Sequence, residues 1–230
     1  PSQGSVGASG DLAPLSHMAL PLIGYGEVHF EGKVISGAAA LKKLKRKPLV
    51  LCEKEGLALI NGTHLMAAQA ALSLDEISNL FDAALAAAAM AFDACLGSHG
   101  VLDARIHEAR CQPGQIQVAA VLSRMLDGST IVASHKEDDP RVQDPYCLRA
   151  TPQVLGAVLD SISSARSVVI RELGAVTDNP LVFPDNPQLC SGGNFHGMPL
   201  AIAMDTIAIG LSHLAGISER RVFWLQSAHD

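Results

Sequence analysis

Between Asn61-Gly62 and Gly97 the chain reads THLMAAQAALSLDEISNLFDAALAAAAMAFDACL, a run with neither Gly nor Pro and very rich in alanine. Alanine is the strongest helix former, and Thr63 and Gly97 suit the two ends, so the run predicts one long helix over about 63–97. Its apolar residues fall on most of its faces. A helix of that kind belongs at the centre of a large bundle or in an interface between chains.

The remaining pattern is also helical. Further helices are predicted from near Gly114 to Asp127-Gly128, from Pro152 in a first turn to Gly174, and from about Pro199 through Arg221, with Gly210 and Gly216 as weak points. Hydrophobic residues make up 48% of the 230 and aromatics only 4%, so the core must be built from Ala, Leu, Ile and Val, which favours close-packed helices over a sandwich. Strand signals are sparse. The segment Gly26 to Ile35 suits one small hairpin turning at Glu31-Gly32. The expected class is therefore all-α, a long-helix bundle with a small irregular or hairpin segment near the N-terminus.

Several function classes are disfavoured. A formal net charge of −6 without a long basic stripe argues against a nucleic-acid surface, and Lys42 to Lys47 reads as a solvated turn before Pro48. The most apolar run, around Leu80 to Leu96, is interrupted by Asp82 and Asp93, so no membrane partner is expected. Cys52, Cys95, Cys111, Cys147 and Cys190 are odd in number and far apart, which suits a reducing, cytoplasmic setting rather than a disulfide framework. Nine histidines occur without an H-x-x-x-H or H-E-x-x-H pair, so no metal site is expected. The chain begins without Met inside a glycine-rich motif and ends at Ser227-Ala228-His229-Asp230 without a helix stop, and it is read as an internal piece of a longer polypeptide.

The glycine-rich motif, GSVGASGD over residues 4–11, fails the familiar templates. It lacks the lysine of a phosphate loop, its glycines are spaced G-x-x-G-x-x-G rather than G-x-G-x-x-G, and Ser9 lies outside a G-x-S-x-G elbow. Taken alone it could be a turn capping a helix that starts near Asp11. It could also be chemistry of the backbone itself. Where the chain bends sharply, the amide nitrogen of Gly10 can attack the carbonyl of Ala8, because neither residue has a bulky side chain in the way. Loss of water, and dehydration of Ser9, would leave a five-membered ring bearing an exocyclic methylidene. That product is an electrophile made from protein.

GSVGASGDLAPL resembles the signature of the aromatic amino acid ammonia-lyases, and other matches follow in order: GLALINGT (56–63), DARIHEARCQPGQ (103–115), QDPYCLRATPQV (143–154), TDNPLVF (177–183), SGGNFHG (191–197) and SERR (218–221). The resemblance covers essentially the whole chain. QDPY-x-LR-x-PQV and GGNFH are most similar to the histidine-specific members, with one departure at His64, where many of them carry Gln.

What the resemblance implies is specific. The fold would be the long-helix bundle of the ammonia-lyase and fumarase-like type, and residues 1–230 part of one catalytic helical domain, with the ring loop at 1–15 and active-site loops at about 135–152 and 176–198. Ala8, Ser9 and Gly10 would cyclise to 4-methylideneimidazol-5-one with help from Asp11, and no external cofactor would be needed. The ring would turn the substrate amine into a better leaving group while a base removes the β-proton. Asn61 would hydrogen-bond developing negative charge, Arg149 would clamp the substrate carboxylate, and Tyr146 and Gln143 would sit against the ring and the reacting carbon. Asn194 and Phe195 would shape the ring pocket. His196 would either contact substrate or support its loop; His107 and His135 read as structural. The family also uses a catalytic tyrosine upstream of the ring and a pocket glutamate downstream of residue 230, and it is homotetrameric, so this stretch alone is expected to be inactive or nearly so. Conversion of L-histidine to urocanate is the leading reading. A tyrosine or phenylalanine ammonia-lyase, an aminomutase, or a non-catalytic helical oligomerisation module remain as alternatives.

Overall fold

The computed structural model describes residues 12–135, 141–185 and 188–227, apart from the side chain of residue 132. Along these residues the chain runs through α1 (Ala13–Ala19), a 3-10 turn (Leu20–Ile23), β1 (Glu27–Phe30), β2 (Lys33–Ser36), α2 (Gly37–Lys43) and α3 (Glu55–Ile60). Then come α4 (His64–Ala94), a second 3-10 turn (His99–Leu102), α5 (Ala104–Arg110), α6 (Pro113–Met125), α7 (Thr130–Ser134), α8 (Tyr146–Arg149) and α9 (Thr151–Leu173). A short strand pair, β3 (Leu181–Phe183) and β4 (Gln188–Cys190), precedes α10 (Met198–Gln226). The class is all-α, as the composition requires.

The chain divides into two compact units, one drawn from Pro1–Ala71 and Val168–Ile202, the other from Leu72–Ser167 and Ala203–Asp230. In the first, α1 packs on α3, and β1 pairs antiparallel with β2 in the register Glu27↔Ser36 to Phe30↔Lys33. Glu31 and Gly32 both take positive φ, 48° and 76°, which is the turn that matches the twist of a two-residue hairpin. Ser36 then caps α2 by accepting the amide of Ala39 at 3.3 Å. The pairing of β3 with β4, Leu181↔Cys190 to Phe183↔Gln188, was not anticipated. Strands of three residues leave too short an alternation to read.

In the second unit, Phe81, Leu85 and Phe92 of α4, Val118 and Leu122 of α6, and Leu155, Val158 and Ile162 of α9 are buried. Helices α6 and α9 meet where neither has a side chain: a Cβ on Gly156 would lie 2.3 Å from the amide nitrogen of Gln115, and one on Gly114 2.2 Å from the carbonyl oxygen of Gly156. Gly156→Ala should therefore force the helices apart and cost at least about 1–3 kcal/mol, the scale of core overpacking. Thermal denaturation reads this directly, and an unchanged midpoint would refute the close crossing.

The long helices differ from expectation in detail. Helix α4 stops at Ala94, and Leu96 rather than Gly97 takes the left-handed turn (φ 53°), while the amide of Gly97 reaches back to the Phe92 carbonyl at 2.7 Å. Helix α10 continues unbroken through Gly210 and Gly216. By length and composition alone, three helices, Glu55–Ala94, Thr151–Leu173 and Met198–Gln226, are apolar enough to cross a membrane, with mean hydropathies of 1.3, 1.2 and 1.6 in their best windows. A search for an uninterrupted apolar run passes over them because isolated charges such as Asp82 and Asp93 interrupt the longest one. Each buries one face in protein while leaving large apolar side chains outside, among them Leu72 and Met90 on α4 and Ile209 and Phe223 on α10.

Candidate active site

Ala8, Ser9, Gly10 and Asp11 lie outside the described residues. The other predicted residues fall into two clusters, one in each unit.

The first is built on the turn between α3 and α4. Asn61 ends α3 with its amide on the Leu57 carbonyl at 2.9 Å, and its side chain is 5% exposed. Gly62 follows at φ +150°, and a Cβ there would lie 2.1 Å from the backbone oxygen of Thr177, so this close approach requires glycine. Thr63 stands at the N-cap, its carbonyl accepting the Ala67 amide at 2.8 Å. Its hydroxyl does not turn back to the helix; it donates to Glu172 at 2.6 Å, while its amide donates to the Thr177 hydroxyl at 3.3 Å.

Asn61-Gly62-Thr63 is thus fastened along Thr177-Asp178-Asn179. Nδ2 of Asn61 donates to Asp178 at 3.1 Å, and the same carboxylate takes the ammonium of Lys54 and the amide of Asn179. Burial alone would push the Asp178 carboxyl up; these three donors outweigh it and hold the carboxyl below its ordinary range. Asn179 extends the network by accepting the Gly192 amide at 2.7 Å and the Ser191 hydroxyl at 3.2 Å, and Asn194 donates to the Val176 carbonyl at 3.3 Å. Phe195 is half-buried, and His196 accepts the Met198 amide on Nδ1 at 3.2 Å, at the start of α10. The segments 176–179 and 191–194, both within the loop expected at about 176–198, are therefore tied to each other, and the first of them to Asn61.

This donor set suits an electrophile made from Ala8-Ser9-Gly10. Asn61 and Asn194 offer neutral amides, and Lys54, the amine in the network, is paired with Asp178.

The second cluster surrounds α8. Asp144, 6% exposed, accepts the Ser98 amide at 2.7 Å, and Arg141 donates to the carbonyls of Cys95 and Leu96, so the segment leading into α8 is anchored to the end of α4. The guanidinium of Arg149 lies 4.4 Å from the centre of the Tyr146 ring, a cation–π stack, and its Nε is buried without a partner among the described residues. Arg149 and Gln143 line a cavity of about 850 Å³ with His99, Ser129 and Asp144. Tyr146 itself is 75% exposed. Beneath α8, the buried Arg221 donates to Thr151 Oγ1 at 3.3 Å and to Ser218 Oγ at 3.0 Å, and Thr151 donates onward to the Cys147 carbonyl at 3.0 Å. Burial pushes the Arg221 guanidinium down, and the nearby thiols of Cys147 and Cys95 offset this only in part.

His107 is wholly buried, with Nε2 on the Val101 carbonyl at 3.0 Å and Nδ1 on the Gln115 amide at 2.9 Å, which leaves no ring nitrogen for a ligand. Sequence reasoning assigned no role to Lys54, Asp178, Asn179 or Arg221. Asp178, Asn179 and Arg221 stood inside quoted motifs, which was the available signal; Lys54 had none.

The chain matches the aromatic amino acid lyase family over residues 1–229. It is 51% identical over 222 residues to a histidine ammonia-lyase of Treponema denticola, covering 96% of this chain and 43% of that protein. A histidine ammonia-lyase of Idiomarina loihiensis is 48% identical over 229 residues, covering 100% and 45%. Among solved structures, a tyrosine aminomutase from Streptomyces globisporus superposes with a TM-score of 0.88 at 37% identity, covering 100% of this chain and 46% of that one. A histidine ammonia-lyase from Trypanosoma cruzi gives 0.84 at 39% identity, covering 96% and 41%. The chain spans less than half the length of each of these relatives. A whole-chain match to the family, joined to an all-α fold shared at these TM-scores, gives one conclusion: the chain belongs to the aromatic amino acid lyase family.

Proposed function

We propose that the protein is an ammonia-lyase that eliminates ammonia from L-histidine to give urocanate. The observation that carries this reading is the 48–51% identity to two histidine ammonia-lyases over nearly all of the chain. A 4-methylideneimidazol-5-one formed from Ala8, Ser9 and Gly10 with the help of Asp11, and no external cofactor, would supply the electrophile that makes the amine a better leaving group.

The chain's own residues do the rest. Arg149 receives the substrate carboxylate, since a planar guanidinium pairs with it through two parallel bonds and its buried Nε has a bond left to make. Tyr146, stacked on Arg149, presents its phenol beside the bound carboxylate, and Gln143 lines the same cavity as Arg149. Asn61, Asn194 and Phe195 enclose the ring, and His196 supports the loop that carries them. The exposed apolar faces of α4 and α10 suit a homotetramer, in which a helix that is apolar all round becomes buried. Five free thiols among the described residues suit a cytoplasmic protein.

The test is to incubate the full-length polypeptide that carries these residues separately with L-histidine, L-tyrosine and L-phenylalanine, following ammonia and the absorbance of the conjugated acid. Ammonia from histidine is expected. Release from tyrosine or phenylalanine alone would move the substrate, a β-amino acid product would make the protein an aminomutase like its Streptomyces neighbour, and no turnover of any of the three would sink the lyase reading.

Arg221 gives a second test. Arg221→Met removes a buried cation that has hydroxyl partners, so stability should hold or rise. Helix α8 loses its tie at the same time, and the KM for histidine should rise about fivefold, the worth of one hydrogen bond at about 1 kcal/mol. An unchanged KM would show that α8 holds its position without Arg221.

A further inference from the structure

We propose that Asp178, paired with Lys54, is a positioning residue that fixes which way round the side-chain amide of Asn61 stands. An amide has a donor end and an acceptor end of nearly equal size, and packing alone discriminates poorly between its two orientations. An ionised carboxylate can only accept. With Asp178 ionised beneath it, Asn61 must turn its NH2 toward the carboxylate, which is the 3.1 Å contact observed. Its carbonyl oxygen is thereby turned the other way, and the amide offers that acceptor and one remaining N–H to whatever binds there. Lys54 enforces the arrangement twice over. It helps keep Asp178 ionised although the carboxylate's side chain is only 12% exposed, and it occupies the second carboxylate oxygen, leaving the first for Asn61 and the backbone amide of Asn179.

The pairing makes a prediction with an unusual sign. In Asp178→Asn the new amide has its own donor and acceptor ends. The new carbonyl cannot serve both the Lys54 ammonium and the Asn179 amide; the charged donor outweighs the neutral one and draws the carbonyl end toward itself, so the NH2 end faces Asn61, and Asn61 turns over to meet it. The ring pocket then receives the wrong end of Asn61 at no loss of volume. Removing the ammonium as well, in Asp178→Asn with Lys54→Met, leaves the Asn179 amide to hold the carbonyl end of residue 178 and lets Asn61 return. A second substitution should therefore repair the first, whereas residues that served only as structural ties would lose more with each one removed.

The activity readout rests on the lyase reading above; the spectroscopic one does not. Steady-state kinetics of the full-length polypeptide should show kcat about tenfold lower in Asp178→Asn with KM within about twofold, and kcat recovering to within about threefold of Lys54→Met in the double variant. In an Asn61→Ala background, Asp178→Asn should cost nothing further. Intact mass should show the same loss of two waters in every variant, so that ring formation is not what changed. In protein labelled with 15N at asparagine, the Asn61 NH2 pair, assigned by its absence in Asn61→Ala, should show one proton shifted downfield in wild type. That shift should be lost in Asp178→Asn and regained in the double variant. A wild type that turns over no amino acid would defeat the lyase reading and leave these resonances to decide the positioning. Unaltered resonances in Asp178→Asn, wild-type kcat in that variant of an active enzyme, loss of the ring there, or a double variant worse than the single one would each overturn the proposal.

Discussion

In Ser9→Ala the deficit of two molecules of water expected for the wild type should not form, since at most the one water of cyclisation can leave, and ammonia release from L-histidine should fall by about 10³-fold or more, or about 4 kcal/mol of transition-state stabilisation. The reason lies in which atoms can leave. Cyclisation of Gly10 nitrogen onto the Ala8 carbonyl expels one water, and the exocyclic methylidene needs a second, taken from the Ser9 hydroxyl. Alanine has no hydroxyl to lose. Without the electrophile, the departing amine of an amino acid is a poor leaving group and the β-hydrogen is weakly acidic, so no placement of base and guanidinium compensates. Helix content should be unchanged by circular dichroism, which separates loss of chemistry from loss of fold. A variant that kept both the mass deficit and the activity would remove Ser9 from the mechanism.

The parts of the fold that were legible in the sequence share one property: their signal is local. The long helix α4 follows from an alanine-rich run free of Gly and Pro, and the first hairpin from Glu31-Gly32 between alternating residues. Helix α6 begins at Pro113, beside the start expected near Gly114, and α9 carries Pro152 in its first turn, as expected. Boundaries were less legible because caps can be supplied from afar. Thr63 sits where a capping threonine should, yet its hydroxyl is spent on Glu172, 109 residues away.

The candidate site divides along the same line. Asn61, Arg149 and Tyr146 were named because they stand in ordered motifs. What orients them was invisible, because it comes from pairings such as Lys54 with Asp178, 124 positions apart, and Arg221 with Thr151, 70 apart. A lysine beside a glutamate in a polar stretch reads as a solvated charge. It acquires meaning only when the chain brings a half-buried carboxylate to it. Gly114 and Gly156 are similar: nothing in the sequence pairs them, and in the structure they are the place where two helices touch. Local propensity thus specified the elements, while tertiary pairings specified the chemistry.

The second large effect is expected at Arg149. A guanidinium whose Nε is buried with no partner among the described residues carries a desolvation cost that they leave uncompensated, which native structures tolerate mainly where a ligand removes it. The stack on Tyr146 at 4.4 Å holds the group's plane, so a carboxylate arriving in that plane meets two donors already aligned. Arg149→Lys keeps the charge and loses the fork, and kcat/KM for histidine should fall by about 10²-fold, close to 3 kcal/mol, within the range for truncating one partner of a buried charge pair. Most of the loss should appear in KM, since the carboxylate keeps its charge throughout the reaction and is bound alike in ground and transition states. The decarboxylated amine of the substrate provides the control, because it has nothing for Arg149 to hold. Its inhibition constant should be the same in Arg149→Met as in wild type, while the binding preference for the amino acid over that amine disappears. If the two ligands weakened together, Arg149 would be supporting the cavity wall rather than gripping the carboxylate.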